Sequence, residues 1–164
     1  MFRWRAAAIG CCLLLAACRI EDHTPTGSRR DDEAIQRILA AYARGLSARN
    51  WAQVRELFWQ EATYELATPT RNLVLPIDSA RTRLLGAGGR GRDQGGVLEV
   101  RIIRADTRQE GDLAAAWVVS RRRVVPPAGP AAEADWTEHV LLRRIGGEWR
   151  ILNVALAAGP RRRS

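Results

Sequence analysis

Apolar residues recur at spacings of three and four through Ile35, Ile38, Leu39, Tyr42 and Leu46, one stripe of an amphipathic helix that begins near Asp31. Asp31, Asp32 and Glu33 stand at its start, where the helix dipole favours carboxylates. Asn50, with Gln53 three residues on, is a cap for a second helix, which would turn Trp51, Val54, Leu57 and Phe58 to a buried side. Beyond it the period shortens to two. Ala62 to Leu66 reads as a short strand, and Asp78 caps a brief third helix from Ser79 to Leu85. Longer strands are predicted over 97–107, 113–124, 135–145 and 148–157, the last two joined by the hairpin signal Gly146-Gly147. Residues 86–96 hold six glycines in eleven positions and are expected to form an open loop. Helices first and an antiparallel sheet later indicate an α+β fold rather than alternating βαβ units.

The first 18 residues follow a different logic. Arg3 and Arg5 precede an apolar run from Ala6 to Ala17, too short for the roughly 20 residues a bilayer span needs, so the segment reads as an export signal. Leu15-Ala16-Ala17-Cys18 resembles the bacterial lipobox, in which the cysteine thiol is acylated and becomes the first residue of the mature chain; the bland alternative is an ordinary secretory signal with Cys18 incidental. The lipobox implies a signal peptide over 1–17 and a lipidated Cys18; with the mixed, unpatterned residues up to 30 it makes 18–30 a lipidated, flexible tether, ahead of a folded domain over 31–157 and a basic tail over 158–164. It also implies a membrane-anchored envelope lipoprotein, facing the periplasm in a Gram-negative host.

The chain of 164 residues is 46% hydrophobic and 27% charged, the composition of one globular domain. Every one of its 26 basic residues is Arg, so chemistry that needs a lysine amine, such as Schiff-base catalysis or a P-loop, is excluded. The three cysteines all lie in the leader, and the only histidines are His23 in the tether and His139, so a His/Cys metal cluster in the domain is excluded; neither a metal nor a cofactor is expected. Gly86 to Gly91 formally satisfies G-x-G-x-x-G but lacks the preceding strand and following helix that phosphate binding requires. The arginine runs 121–123, 143–144 and 161–163 read as a solvated strand face or as weak attraction to a membrane surface, not as a nucleic-acid site. No G-x-S-x-G elbow is present, and Asp31-Asp32 and Glu110-Asp112 belong to a helix start and a turn.

The order of these pieces is familiar: a helix carrying Tyr42, a second ending in Leu57-Phe58-Trp59, a Glu61-Ala62-Thr63-Tyr64 strand, and a closing hairpin from Arg143 to Ile151. It resembles the nuclear transport factor 2-like superfamily, particularly its SnoaL-like and ketosteroid isomerase-like branches, over about Asp31 to Ala157. The resemblance implies helices packed on a curved antiparallel sheet, forming a cone with an apolar pocket, and pairing with a second copy through the open sheet face. It matches Tyr42 to the oxyanion-binding tyrosine of the isomerases, puts Leu66 where their carboxylate base stands with Glu65 one residue off, and brings His139 near their second oxyanion donor. The pocket so expected comprises Tyr42, Tyr64, Leu66, His139, Leu141, Leu152 and Val154, an apolar cup with a few polar handles. The catalytic candidates are His139 as general acid/base and Tyr42 as oxyanion donor, against bland roles as a sheet histidine and a core tyrosine. The tryptophans Trp51, Trp59, Trp117, Trp136 and Trp149 are expected to serve packing. The function expected is a lipid-anchored domain that binds a small apolar molecule or pairs with another protein. The alternatives are an isomerase, cyclase or dehydratase acting on a hydrophobic cyclic substrate, and an accessory subunit of an envelope assembly.

Overall fold

Ser28 sets the start of the first helix: its Oγ accepts the Asp31 amide at 3.1 Å, so the helix begins two residues before the predicted Asp31. The protein was described from a computed structural model, which covers residues 27–68, 71–85 and 97–158. The leader, Cys18 and the expected tether up to residue 26, the glycine-rich 86–96 segment and the basic tail from residue 159 on therefore lie outside the described residues.

Helix α1 spans Arg29–Ser47 and buries Ile35, Leu39, Tyr42, Ala43, Gly45 and Leu46 along one face. The Asn50 side chain accepts the Gln53 amide at 3.2 Å and opens α2, Trp51–Glu56. The two helices meet closely at Gly45, where a Cβ would stand 2.7 Å from Val54 Cγ2. Only hydrogen fits there. Helix α2 stops short of Phe58, which instead opens strand β1, Phe58–Thr68, and is buried from there. The change follows from β6, whose Ile151 amide donates to the Leu57 carbonyl and draws the chain into the sheet.

Strand β2 (Arg71–Pro76), absent from the sequence prediction, pairs antiparallel with β1 and leads into α3, Ile77–Leu85. The remaining strands are β3 (Val97–Glu110), β4 (Leu113–Val125), β5 (Ala132–Ile145) and β6 (Glu148–Ala158). Together they form one six-stranded sheet of order β2-β1-β6-β5-β4-β3. All neighbours are antiparallel except β1 and β6, which run parallel.

Register breaks occur in β3 between Ile102 and Arg104 and in the β5–β6 ladder between Leu141 and Leu142. Extra residues at such points bend a strand and increase its twist, which curves the sheet around the helices. The α+β architecture of helices against a curved sheet is therefore as the sequence indicates. Its core joins the buried stripe of α1 to inward residues of four strands, among them Ala62, Ala116, Val118, Val140, Leu142, Ile151, Val154 and Leu156. Each fully buried Leu or Ile there contributes on the order of 1.5–3 kcal/mol by leaving water.

Candidate functional site

Alternation along β4 and β5 sends every second side chain inward, and toward one end of both strands the inward set turns polar. Ala114, Ala116 and Val118 give way to Ser120 and Arg122 on β4, while Leu142 and Val140 give way to Glu138 and Trp136 on β5. Ser120, Arg122 and Glu138 are exposed by only 1%, 3% and 1%. Charged residues this deep normally occur paired. Here Arg122 Nη2 stands 3.1 Å from Glu138 Oε1, the same oxygen that takes the Ser120 hydroxyl proton in a 2.5 Å hydrogen bond. The guanidinium carbon also lies 5.5 Å from the centre of the Trp136 ring, within cation–π range.

Helix α1 adds Tyr42 and β1 adds Tyr64, both buried. Phe58 packs edge-on against the Tyr42 ring at 5.9 Å. The Tyr42 hydroxyl lies within electrostatic reach of Glu138 and Arg122 yet makes no hydrogen bond of good geometry. Arg122 Nε and Glu138 Oε2 are likewise without hydrogen-bond partners among the described residues. Each such group costs about 1–3 kcal/mol when left unmade in a dry interior. Three elements thus bring the Tyr42 hydroxyl, the Arg122 guanidinium and the Glu138 carboxylate to one buried cluster whose hydrogen-bonding capacity is not filled among the described residues.

Burial pushes the Tyr42 phenol well above its ordinary pKa, and the negative charge of Glu138 adds to the effect. Tyr42 is therefore a neutral hydrogen-bond donor throughout the physiological range. For Arg122 burial opposes the charge, but Glu138, Tyr42 and Tyr64 more than offset it and its pKa is raised. The guanidinium stays protonated. The cluster thus sets a neutral phenol, a protonated guanidinium and a carboxylate among buried Leu, Val and Ala side chains.

Of the residues the sequence singled out, Tyr42, Tyr64, Leu66 and Val154 stand on the inward side, with Leu66 only partly buried. His139 and Leu141 do not. They occupy the alternate positions of β5, and His139 faces outward, its ring 4.6 Å from the 56%-exposed Trp117. Leu152 is the extra residue of the bulge: Leu141 pairs with Asn153 and Leu142 with Ile151, so Ile151 takes the buried place that alternation from Val154 assigns to Leu152. Glu65 is also turned outward, where its carboxylate accepts Asn72 Nδ2 at 2.6 Å. Sequence reasoning missed Ser120, Arg122, Trp136 and Glu138. The signal was there in strand parity, since Trp136, Glu138, Val140 and Leu142 share one face and Arg122 alone of the Arg121–Arg123 run shares the face of Val118.

The remaining members of the arginine runs on the strands are largely committed. Arg121 pairs with Asp135 at 2.7 Å, Arg123 with Glu99 at 3.5 Å, and Arg144 with Asp31 at 3.1 Å and Asp112 at 3.0 Å. Among the described residues no group of three His, Cys, Asp or Glu side chains is arranged to hold a metal ion. Nor is any described helix long and apolar enough to cross a membrane.

A family model described as a SnoaL-like domain matches residues 28–155. No functionally curated protein is a significant match to the chain. Among solved structures, an NTF2-like protein of unknown function from Shewanella baltica shares 17% identity and a TM-score of 0.59, over 82% of this chain and 98% of that one. A Novosphingobium aromaticivorans protein provisionally called a scytalone dehydratase has 15% identity and a TM-score of 0.66, over 80% and 85% of the two chains. An NTF2-like protein with a cystatin-like fold from the same species has 18% identity and a TM-score of 0.63, over 79% and 82%. At these identities the likeness is one of fold.

Proposed function

Because the chain belongs to the SnoaL-like domain family, we propose that its cone takes up a small, mainly apolar molecule bearing a hydroxyl or carbonyl group, and binds it without turnover. The observation that carries this reading is a buried Arg122–Glu138 ion pair beside Tyr42 in which the Tyr42 hydroxyl, Arg122 Nε and Glu138 Oε2 lack a hydrogen bond of good geometry among the described residues. An apolar filling would serve the fold at lower cost, because desolvating two charges consumes most of what their attraction returns. A polar head on a bound molecule would satisfy all three groups at once, which gives the cluster a use beyond stability. The direct test is mass spectrometry of small molecules extracted from the purified protein. The wild type should carry a compound that Tyr42→Phe and Arg122→Met lose. Empty extracts, with no stabilisation by any apolar alcohol or ketone, would refute binding.

A catalytic reading is favoured by one feature: the Tyr42 hydroxyl, a donor, is buried within electrostatic reach of Glu138, an acceptor with one oxygen lacking a hydrogen-bond partner among the described residues, the pairing of an oxyanion donor with a general base. The provisional dehydratase name of the Novosphingobium relative agrees in reaction type. This role passes from His139 to Glu138, since His139 is on the outer face. Turnover of a cyclic hydroxy compound that survives Glu138→Gln undiminished would exclude it.

The address proposed from Leu15-Ala16-Ala17-Cys18 is a lipid anchor in the cell envelope. Cys18→Ser should make the protein extractable from membranes by high salt, where the wild type requires detergent. Pairing with a second copy is proposed for the outer sheet face, where exposed Trp117 packs at a tilt against His139.

A further inference from the structure

With most strand arginines taken up in ion pairs, uncommitted positive charge gathers elsewhere. Arg30, Arg37 and Arg44 recur every seven residues on α1, and all three are exposed. Seven residues are nearly two full turns, so the three project from one line about 21 Å long. They edge a groove of about 870 Å³ between α1 and the β5–β6 hairpin, whose floor includes Ala34, Ile38 and Leu57. Five arginines and two acids line it, Asp31 and Glu148, leaving a net charge of +3. Both acids are already engaged, Asp31 with Arg144 and Glu148 with Arg150.

We propose that this arginine-edged groove is the face the domain lays on anionic lipid headgroups of a bilayer. A row with charges about 10 Å apart suits a plane carrying many anions better than one small anion, on which the three cannot easily converge. The apolar floor suits the same surface, since arginine stems and Leu or Ile side chains can enter the headgroup layer together. Chain length adds a second argument, which rests on the lipid-anchor reading. Cys18 is ten residues from Ser28, at most about 35 Å of extended chain. The domain end of that link is fixed beside the row: Gly27 lies so close to Gln109 that a Cβ would collide with its side chain, and Arg30 follows three residues later. An acylated Cys18 would hold this side of the domain near the headgroups.

The test needs no acyl chain, so it fails or succeeds apart from the anchor. The chain from Arg19 to Ser164 keeps every described element. Its partition is measured by sedimentation onto vesicles of phosphatidylglycerol and phosphatidylcholine in equal parts, and onto phosphatidylcholine alone. Binding should require phosphatidylglycerol and weaken with salt. Replacing Arg30, Arg37 and Arg44 together by Gln should lower the partition coefficient roughly a hundredfold, from the usual contribution of each basic residue at an anionic surface. The same three changed to Lys should keep it, which separates lost charge from lost folding. Removing equal charge from the outer sheet face, by Arg101→Gln, Arg108→Gln and Arg143→Gln, should alter it by less than about threefold. Equal losses from both triple variants would overturn the proposal in favour of diffuse net charge. Absence of binding to phosphatidylglycerol, or displacement by inorganic phosphate at constant ionic strength, would overturn it as well.

Discussion

Asp31 collects four donors from three parts of the chain. Its Oδ2 accepts the Ser28 hydroxyl at 2.7 Å, Arg144 Nη2 at 3.1 Å and Gln109 Nε2 at 3.3 Å, and its Oδ1 accepts the Trp149 indole N–H at 3.1 Å. These bonds favour the carboxylate, the Ser28 and Trp149 bonds most, and hold its pKa at about 2 against an ordinary 3.8. A carboxyl whose pKa falls on folding adds stability that is full above its unfolded pKa and fades as pH drops through the folded one. Asp31→Asn should therefore destabilise the protein most near neutrality, and the gap between the two urea midpoints should close as pH falls from about 4 toward 2. A gap independent of pH would mean that shape, not charge, is what Asp31 supplies. For the interior pair the prediction has a size. Glu138→Leu alone or Arg122→Met alone strands one charge in the core and should cost about 3–5 kcal/mol in chemical denaturation.

Elements were legible where their pattern is local. The α1 stripe, the Asn50 cap and the Gly146-Gly147 turn are written in consecutive residues, and each is found within a few positions of its predicted place. What was hidden depends on partners far away in the chain. Strand β2 is a short edge strand ending in Pro76, and its Leu73 and Leu75 acquire a face only from Leu66 and Tyr64 of β1. Matching the chain to a family pattern puts His139, Leu141 and Leu152 in the interior, and such a match fixes a strand's faces only where its register is right to the residue. An offset of one residue reverses a strand's faces, and the bulge at Leu152 resets the count again. Glu138 was overlooked for the same reason. The α1–α2 junction offers a test at this scale. Propensity alone would have Gly45→Ala stabilise α1 by nearly 1 kcal/mol. The contact with Val54 should reverse the sign, to a loss of about 1–3 kcal/mol from overpacking. Adding Val54→Ala should recover part of that loss in thermal unfolding, and stabilisation by Gly45→Ala alone would refute the close approach.

The whole molecule separates its chemistry by face. Inside the curved sheet a neutral phenol, a guanidinium and a carboxylate are buried together among apolar side chains. Outside, the sheet carries ion pairs and the tilted Trp117–His139 contact, and α1 bears an arginine row along its flank. The central claim is that the interior ion pair is kept for a bound molecule and not for the fold. Arg122→Met combined with Glu138→Leu tests it most directly, with unfolding free energy and retained small molecules measured on the same preparation. The account predicts stability within about 1 kcal/mol of the wild type or above it, together with loss of the bound compound. A double variant that unfolds several kcal/mol more easily, or one that keeps the compound, would contradict it.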